Sequence, residues 1–483
     1  MGLLGILLGL GLLVWFAYRG WSVLLLAPIS AIIAALLSGE PLLASWTQTF
    51  MGSAASFVGQ FFPLFLLGAL FGKLMEDSGS VSAIADFMTA KLGTGRAILA
   101  VVLAGAIVTY GGVSLFVALF VLAPMAQALF RAADIPRRLM APAIALGTFT
   151  FTMMALPGTP AIQNAIPMPF FGTTPFAAPG LGIIASAIML GFGLWWLGRA
   201  EAAARGKGEG FGGEAGSART ALDDPLLRER ATTAREFDPA EIERGFQSPE
   251  RPSIVVAAVP LLLVIIVNLL MSFLVLPRLD FDFLADPRWG AVPLSAVSGV
   301  WSVAVALIVA ILAAIAINWQ RLPKLRDTMD AGANASVLPI FSVASLVGFG
   351  AVVAALPAFE LVRDWVLSIG GGPLVSLAVA TNILAALTGS ASGGLTIALD
   401  ALGPTYMELA ATLGIDPSLL HRVAVMSAGT LDSLPHSGAV VTLLAVCGTT
   451  PKQSYLDIVM VAIVGALLAL VAVIALGSVL GSF

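Results

Sequence analysis

The sequence predicts an all-α polytopic membrane protein built from two inverted repeats with broken helices. Three observations lead to this prediction: a scarcity of charge, an abundance of glycine and proline, and landmarks that recur in the two halves. Of 483 residues, 59% are hydrophobic and 11% are charged, whereas an ordinary soluble domain carries about 25% charged residues. The low charge excludes soluble enzymes, nucleic-acid binders and disordered proteins. The 50 glycines and 28 prolines indicate interrupted helices.

The charges divide the chain into three parts. Between Arg199 and Arg251 lie nine Lys/Arg and eleven Asp/Glu, which are 20 of the 52 charged residues. The same segment holds the glycine-rich run 206–218, which is typical of a flexible linker. We therefore predict an N-terminal transmembrane repeat (1–198), a cytoplasmic charged linker (199–252) and a C-terminal transmembrane repeat (253–483).

Each half contains apolar stretches near the roughly 20 residues that cross a bilayer, and we predict 10 to 13 membrane segments. The stretch 96–130 is interrupted by Gly111-Gly112, and 374–388 is short, so both suggest re-entrant hairpins or half-helices. The first stretch, 2–18, lacks the basic start and the cleavage site of a signal peptide and is expected to stay as a helix.

The composition also limits the chemistry. A net charge of −4 does not point to a nucleic acid or another polyanionic partner. The single cysteine, Cys447, excludes an intrachain disulfide and a thiolate zinc site. Neither HExxH nor GxSxG occurs, so we expect no catalytic residues, no metal and no cofactor.

Landmarks recur in the two halves in the same order, which predicts an internal repeat. Gly172-Thr173-Thr174-Pro175 returns as Gly448-Thr449-Thr450-Pro451, and a final apolar stretch follows each copy. Four further pairs precede them: Pro157 with Pro435, Gly147-Thr148 with Gly429-Thr430, Asp134-Ile135-Pro136 with Ile415-Asp416-Pro417, and the glycine break 110–112 with 389–394. The Arg-rich loop 131–138 corresponds to 413–422, which holds a single arginine. Because basic loops stay on the cytoplasmic side, this difference favours opposite orientations of the repeats, as in many secondary transporters.

Breaks at membrane depth predict a binding site. Unpaired backbone groups are tolerated there only when they are buried in protein or line a wet cavity. The N-terminal ends of broken helices offer N–H groups to a carboxylate. Four polar clusters fall at such breaks, and they supply the candidate substrate-binding residues: Tyr110, Gly111, Gly112, Ser114, Thr148, Thr152, Gly158, Thr159, Asn164, Asn382, Ser390, Ser392, Gly393, Thr430, Ser433 and Ser437. The alternative is that small residues only allow close packing, with hydroxyls bonded to their own helix.

Asp432 and His436 are the candidate proton-coupling residues. They are four positions apart, which would place them on one helical face unless Pro435 interrupts it. Ionisable groups at membrane depth are functional candidates, although Asp432 as a helix cap and His436 in a wet loop are the alternatives. His421 beside Arg422 is expected in a solvated loop. Glu76 and Asp77 are expected at a segment end, facing headgroups.

The stretches 135–167 and 429–455, with LPGTPAIQN and LDSLPHSG at their centres, resemble the gluconate permease family. Within it they are most similar to the members assigned to D-β-hydroxybutyrate. The resemblance implies an ion-transporter superfamily fold, a homodimer, an elevator-type movement and proton symport of organic anions. Family members often carry Asn after the histidine, whereas Ser437 stands here.

From the residues and this resemblance together, we expect a secondary transporter in a bacterial inner membrane. It would import a small organic anion, such as 3-hydroxybutyrate or gluconate, with a proton. The alternatives are sodium coupling in the same fold, an anion channel and a membrane-embedded enzyme.

Overall fold

A computed structural model of the chain describes residues 2–19, 21–113, 115–212, 238, 241, 244–435 and 437–483. All regular secondary structure in these ranges is helical, so the predicted all-α class is confirmed. The helices of the first half are α1 (Gly2–Tyr18), α2 (Val23–Ser38), α3 (Leu42–Asp77), α4 (Ser80–Leu92), α5 (Ala97–Tyr110), α6 (Leu115–Ala132), α7 (Met140–Thr148), α8 (Phe151–Met154), α9 (Ile162–Ala165), α10 (Pro167–Phe171) and α11 (Pro179–Gly206). Those of the second half are α12 (Ile254–Arg278), α13 (Leu294–Ile317), α14 (Leu325–Ala355), α15 (Phe359–Leu367), α16 (Pro373–Thr388), α17 (Ala391–Leu413), α18 (Pro417–Thr430), α19 (Gly438–Val446) and α20 (Pro451–Leu480).

Six of the described helices are long and apolar enough to cross a membrane, namely α3, α11, α12, α13, α14 and α20. Helices α4 and α5, together with the short turn between them, would form a seventh span if they are counted as one. The two helices are bent by 101° relative to each other. Shorter apolar helices, including α1, α2 and α16, complete the set. The chain is therefore a multi-span membrane protein with interrupted helices, and the break after Tyr110 lies where Gly111-Gly112 predicts it.

The two halves repeat one packing scheme. Helix α5 packs against α7, and α16 packs against α18 in the same way. Helix α2 of the first half packs on α14 of the second, while α13 of the second packs on α3 of the first. The two terminal helices, α11 and α20, pack on each other. These reciprocal contacts interleave the halves into one body, and their opposite orientation in the membrane stays a prediction.

The two Gly-Thr-Thr-Pro copies show why the repeat needs glycine. Gly172 and Gly448 both have φ of 62°, in the left-handed region that glycine occupies without steric cost. Each glycine follows a short helix, α10 or α19, and turns the chain toward a terminal helix. The copies then diverge. Helix α20 begins at Pro451 under a Thr450–Gln453 capping box, whereas α11 begins at Pro179.

The predicted exposure of Glu76 and Asp77 is wrong. Both are buried at the end of α3 with Lys73, whose Nζ lies 3.3 Å from a Glu76 oxygen and 3.0 Å from an Asp77 oxygen. Thr328 of α14 donates to Asp77 at 2.6 Å, and the backbone N–H of Phe246 donates to the same oxygen at 3.2 Å. A lysine one turn earlier and the chain after residue 244 thus cover these carboxylates.

Candidate functional site

The first two helix breaks meet. The Tyr110 hydroxyl, at the end of α5, donates to the carbonyl of Pro157 at 2.7 Å. Gly112 has φ of 96°, and a Cβ there would lie 2.9 Å from Cγ of Pro160. A Cβ on Gly111 would overlap the side chain of Leu261 in α12. Both glycines are therefore required by close approach of neighbouring chain, and they bring the α5 break against the 156–160 loop.

The loop of the second break has its polar backbone satisfied by side chains. The two hydrogens of the Asn164 amide go to the carbonyls of Thr159 and Pro175, each at 3.0 Å. Gly158 donates its N–H to Pro175 at 2.9 Å. Its carbonyl accepts from Nδ2 of Asn268 in α12 at 3.1 Å. These bonds replace the helical bonds that the break removes, as low-dielectric surroundings require.

Asn268 is a residue of this network that sequence reasoning missed. It is fully buried, and it is the one polar residue of Ile254–Leu270, the first part of α12. A lone asparagine in an apolar span is costly unless it finds a partner. That cost is a signal in the sequence, and it could have identified the residue.

The expectation that His421 lies in a solvated loop is wrong. His421 and Arg422 are both 0% exposed and lie in α18. The ring of His421 contacts Thr173 Oγ1 through Nδ1 at 2.6 Å and Asn164 Oδ1 through Nε2 at 3.1 Å. The Asp416-Pro417 turn starts a helix that runs into the protein, and both side chains are buried because they lie on that helix.

Arg422 binds backbone carbonyls of the first half. Its Nε and Nη2 donate to the carbonyl of Ala177 at 3.1 and 2.6 Å, and its Nη1 donates to that of Met154 at 3.3 Å. No carboxylate among the described residues forms an ion pair with it. The guanidinium thus fixes the ends of two chain segments around the second break and leaves a buried positive charge in that region.

Several predicted hydroxyls are bonded to backbone carbonyls four or five positions earlier in the chain. Thr148 donates to the carbonyl of Ile144 at 2.7 Å, Thr430 to that of Met426 at 2.7 Å, and Thr152 to that of Gly147 at 3.2 Å. Their hydrogens are engaged in these bonds, so each hydroxyl can act toward a further group only as an acceptor. Thr159 also accepts, from the N–H of Ala161 at 3.4 Å.

The third break is a tight helix-to-helix turn. Gly389 has φ of 62° after α16, and Ser390 caps α17 by accepting from the N–H of Gly393 at 3.1 Å. Ser392 lies 3.3 Å from the Ser390 hydroxyl. Asn382 donates to Ala378 at 2.8 Å, and its Oδ1 has no hydrogen-bond partner in the described part of the chain. This oxygen is a buried acceptor facing the interior from the middle of α16.

The fourth break holds Asp432, which is 1% exposed. It lies in the single turn Leu431–Ser433, where the Ser433 hydroxyl contacts it at 3.4 Å, and this turn packs against α16. Because α18 ends at Thr430, Asp432 does not extend a helical face toward position 436. Ser437 is buried and precedes α19. His436 and Ser114 lie outside the described residues.

A cavity of about 70 Å³ joins the first and second breaks. Thr109 and Gly112 of the first break line it with Met153, Pro160 and Gln163 of the second, opposite residues of α3. The third and fourth breaks do not line this cavity. The fourth contacts the residue next to the lining residue Met153, since a Cβ on Gly429 would overlap the side chain of Met154. The volume suits several water molecules or a ligand of a few heavy atoms.

The described residues contain no group of three or more His, Cys, Asp or Glu side chains arranged to hold a metal ion. Lys73, Glu76 and Asp77 form an ion cluster away from the cavity, at the end of α3. The polar side chains that line the cavity are the hydroxyl of Thr109 and the amide of Gln163, and the rest of the lining is apolar or glycine.

The chain is similar to one family of permeases and to two transporters. The family model for GntP family permeases matches residues 1–169. The uncharacterized transporter YxjC of Bacillus subtilis (strain 168) is 41% identical over 488 residues, which covers 100% of both chains. The high-affinity gluconate transporter of Escherichia coli (strain K12) is 31% identical over 173 residues, or 34% of this chain and 37% of the relative.

A solved structure is similar in fold. The YdaH transporter of Alcanivorax borkumensis superimposes with a TM-score of 0.50 and 17% sequence identity, over 90% of this chain and 87% of that one. At this identity the similarity concerns the fold alone, and it agrees with an all-helical membrane protein whose spans are interrupted.

Proposed function

The chain belongs to the GntP family of permeases, and from that premise we propose that it imports a small organic anion by proton symport. The substrate class is a hydroxy-monocarboxylate such as gluconate or 3-hydroxybutyrate. The partial similarity to a gluconate transporter supports this class. We place the protein in a bacterial inner membrane as a homodimer that works by an elevator-type movement.

The observation that carries this proposal is the cavity between two helix breaks, whose largely apolar wall carries the polar side chains of Thr109 and Gln163. Thr109 and Gln163 line it together with Gly112, which brings hydroxyl, amide and backbone groups to one place within an otherwise apolar body. Arg422, beside the same loop, adds a buried positive charge that is bonded to backbone carbonyls, and no described carboxylate pairs with it. Hydroxyls and amides suit the hydroxyl groups of the substrate, and the guanidinium favours its carboxylate electrostatically.

The remaining break residues contribute to the transport path in this proposal. Asn382 and Ser437 are buried and belong to the second repeat, so the substrate meets them when the two repeats change their relative position. Asp432 is the described member of the Asp432–His436 pair, and we propose it as a proton-binding group. Its buried carboxylate then becomes neutral when the site is loaded.

Proton coupling has an energetic reason. Moving one unpaired charge through the membrane potential costs about 2.3 kcal/mol per 100 mV. An inside-negative potential opposes entry of an anion, and a co-transported cation removes that opposition. Sodium would serve the same purpose, so coupling to sodium is the second candidate.

Uptake by the purified protein in liposomes tests the function. Labelled gluconate and 3-hydroxybutyrate are offered under an inward proton gradient, an inward sodium gradient, or neither, with the potential clamped. We expect saturable accumulation under the proton gradient alone. Equal rates in all three conditions would contradict coupling, and a rate that rises linearly with concentration would indicate a channel.

A further inference from the structure

The junction between α18 and the first repeat carries a residue that the family assignment and the proposed function leave without a role. We propose that His421 binds the co-transported proton, and that the Thr173 hydroxyl reverses its hydrogen bond when the proton arrives. This inference rests on the proposed function, because it names the residue that couples transport to protons. It adds a second proton-binding group to Asp432.

The hydrogen bonds around His421 fix its tautomer. Asn164 uses both amide hydrogens on the carbonyls of Thr159 and Pro175, so the atom that faces Nε2 of His421 is the amide oxygen, at 3.1 Å. An oxygen of this kind only accepts. Nε2 therefore carries a hydrogen, and Nδ1 of the neutral ring is an acceptor.

A proton can enter this site because the Thr173 hydroxyl is able either to donate or to accept a hydrogen bond. In the neutral state the Thr173 hydroxyl donates to Nδ1 across 2.6 Å. When Nδ1 takes a proton, it becomes a donor, and the hydroxyl turns to accept from it. The Nε2 bond to Asn164 is unchanged. Protonation thus converts one neutral hydrogen bond into a charge-assisted one, which is the stronger kind.

The repeat shows that the fold does not need this arrangement. His421 and Arg422 lie eight and seven positions before Gly429. At the same distances before Gly147, the first repeat has Leu139 and Met140. Helix α7 packs against α19 as α18 packs against α10. At the first junction, Thr449 takes the place of Thr173. Its buried hydroxyl has no hydrogen-bond partner among the described residues.

The site is linked to the cavity through two short helices, α9 and α8. Gln163 of α9 lines the cavity, and the next residue, Asn164, binds His421. In the same way Met153 lines the cavity, while the carbonyl of the next residue, Met154, binds Arg422. A ligand that shifts either segment would therefore change the surroundings of His421 and Arg422 directly.

The charges around His421 explain why proton and anion would bind together. Arg422 is its neighbour in the same helix and is also fully buried, and like charges disfavour each other in such surroundings. Helices α8, α9, α10 and α16, which pack against α18, carry no titratable side chain. The remaining titratable groups on the elements beside this junction are Tyr110, Asp400, Tyr406, Glu408 and Asp432, and, on α20, Lys452, Tyr455 and Asp457. The part of α20 that packs against α18, Gly465–Leu480, carries no titratable side chain.

Among these neighbours, Asp400 and Glu408 are exposed, and the Tyr406 hydroxyl pairs with Ser376 at 2.9 Å. In the described part of the chain the hydrogen-bond partners of His421 are Thr173 and Asn164, which are both uncharged. The protonated ring beside Arg422 therefore has no carboxylate bonded to it. The carboxylate of the substrate supplies the compensating negative charge, and when the substrate leaves on the cytoplasmic side, the proton leaves Nδ1 with it.

The test separates proton coupling from substrate movement. His421→Gln keeps a neutral amide that does not titrate. In liposomes, we expect this variant to retain exchange of labelled for unlabelled substrate and to lose accumulation driven by a proton gradient, together with substrate-induced proton uptake. Ser427→Ala is the matched control, because this buried hydroxyl on the same helix bonds only to the carbonyl of Val423, at 2.6 Å. It should leave both activities unchanged.

A His421→Gln protein that still accumulates substrate with proton uptake overturns the inference. If the parent itself shows no proton-driven uptake, the proposed function fails and the inference fails with it. If the parent is coupled and His421→Gln is coupled as well, the inference alone fails.

A second variant decides the matter if His421→Gln does not fold. Thr173→Val removes the acceptor that the protonated ring needs. With valine, the protonated ring loses a charge-assisted hydrogen bond, whereas the neutral ring loses a weaker neutral one. The protonated form is therefore destabilised more, and the pH of half-maximal substrate-induced proton uptake should fall by about half a unit to one unit. Thr173→Ser should restore the pH dependence of the parent. An unchanged profile in Thr173→Val overturns the inference.

Discussion

Replacing Arg422 by methionine tests whether the buried guanidinium holds the second break together. Methionine is of similar length and apolar, so it fills most of the space without hydrogen bonds. The change removes three contacts: two to the carbonyl of Ala177 and one to that of Met154. It leaves these two carbonyls buried without the partner that satisfies them. We therefore expect a loss of stability that a packing change alone would not produce.

The magnitude can be worked out from these contacts. Hydrogen bonds measured between transmembrane helices average about 0.6 kcal/mol, so three of them give a lower value of about 2 kcal/mol. Two buried carbonyls left unsatisfied cost about 1–3 kcal/mol each, which gives an upper value of about 6 kcal/mol. The expected decrease in the free energy of unfolding is thus about 2–6 kcal/mol.

Reversible unfolding of the purified protein in mixed micelles, with increasing SDS, measures this free energy. The Ser427→Ala control removes one hydroxyl bond within α18 and should cost less than about 1 kcal/mol, the value of a typical hydrogen bond. An Arg422→Met protein as stable as the Ser427→Ala protein would refute the reasoning, since the carbonyls would then have found other partners at no cost.

Three further predictions concern other parts of the molecule. Gly147→Ala places a Cβ against the backbone carbonyl oxygen of Val102. As with other overpacked cores, this should reduce the free energy of unfolding by about 1–3 kcal/mol. Gly191→Ala, where a Cβ meets nothing within 4 Å, should not reduce it. Lys73→Met leaves Glu76 and Asp77 buried without their cation and should cost about 3–5 kcal/mol, whereas Arg326→Ala, which breaks an exposed pair with Asp330 at 3.6 Å, should cost less than about 1 kcal/mol; equal effects would contradict the difference in burial. Asp432→Asn should lower proton-driven uptake in liposomes while substrate exchange continues, and unchanged proton uptake would remove Asp432 from the proposed coupling.

Local pattern was sufficient to predict the fold class, the repeat and the position of the breaks. Glycine at Gly172 and Gly448 marks left-handed turns, and the break at Gly111-Gly112 ends α5. Both features depend on backbone geometry that few other residues adopt. Such positions show their role in the sequence itself, because the constraint is local.

The surroundings of charged residues could not be predicted in the same way. Glu76 and Asp77 stand at the end of an apolar stretch, and His421 follows a turn, so both sites look exposed along the chain. Burial of the first pair depends on Lys73, on Thr328 and on chain after residue 244. Burial of His421 depends on Thr173 and Asn164, about 250 positions earlier. The Lys73 pairs are local to α3, but the other contacts form only when distant parts of the chain come together, and no short window of sequence contains them.

The two repeats differ where the polar chemistry lies. When the repeats are aligned on Gly147 and Gly429, Leu139 and Met140 correspond to His421 and Arg422, and Thr150 corresponds to Asp432. The first repeat fills these positions with two apolar side chains and with Thr150, whose hydroxyl donates to the carbonyl of Leu146 in α7 at 2.7 Å. The second repeat fills all three with ionisable groups, which are costly at this depth. A duplicated scaffold requires the two sets to be alike, so the difference is not explained by packing. It is explained if one repeat supplies the cavity, through Gly112 and Gln163, and the other supplies the charges that respond to the ligand in that cavity.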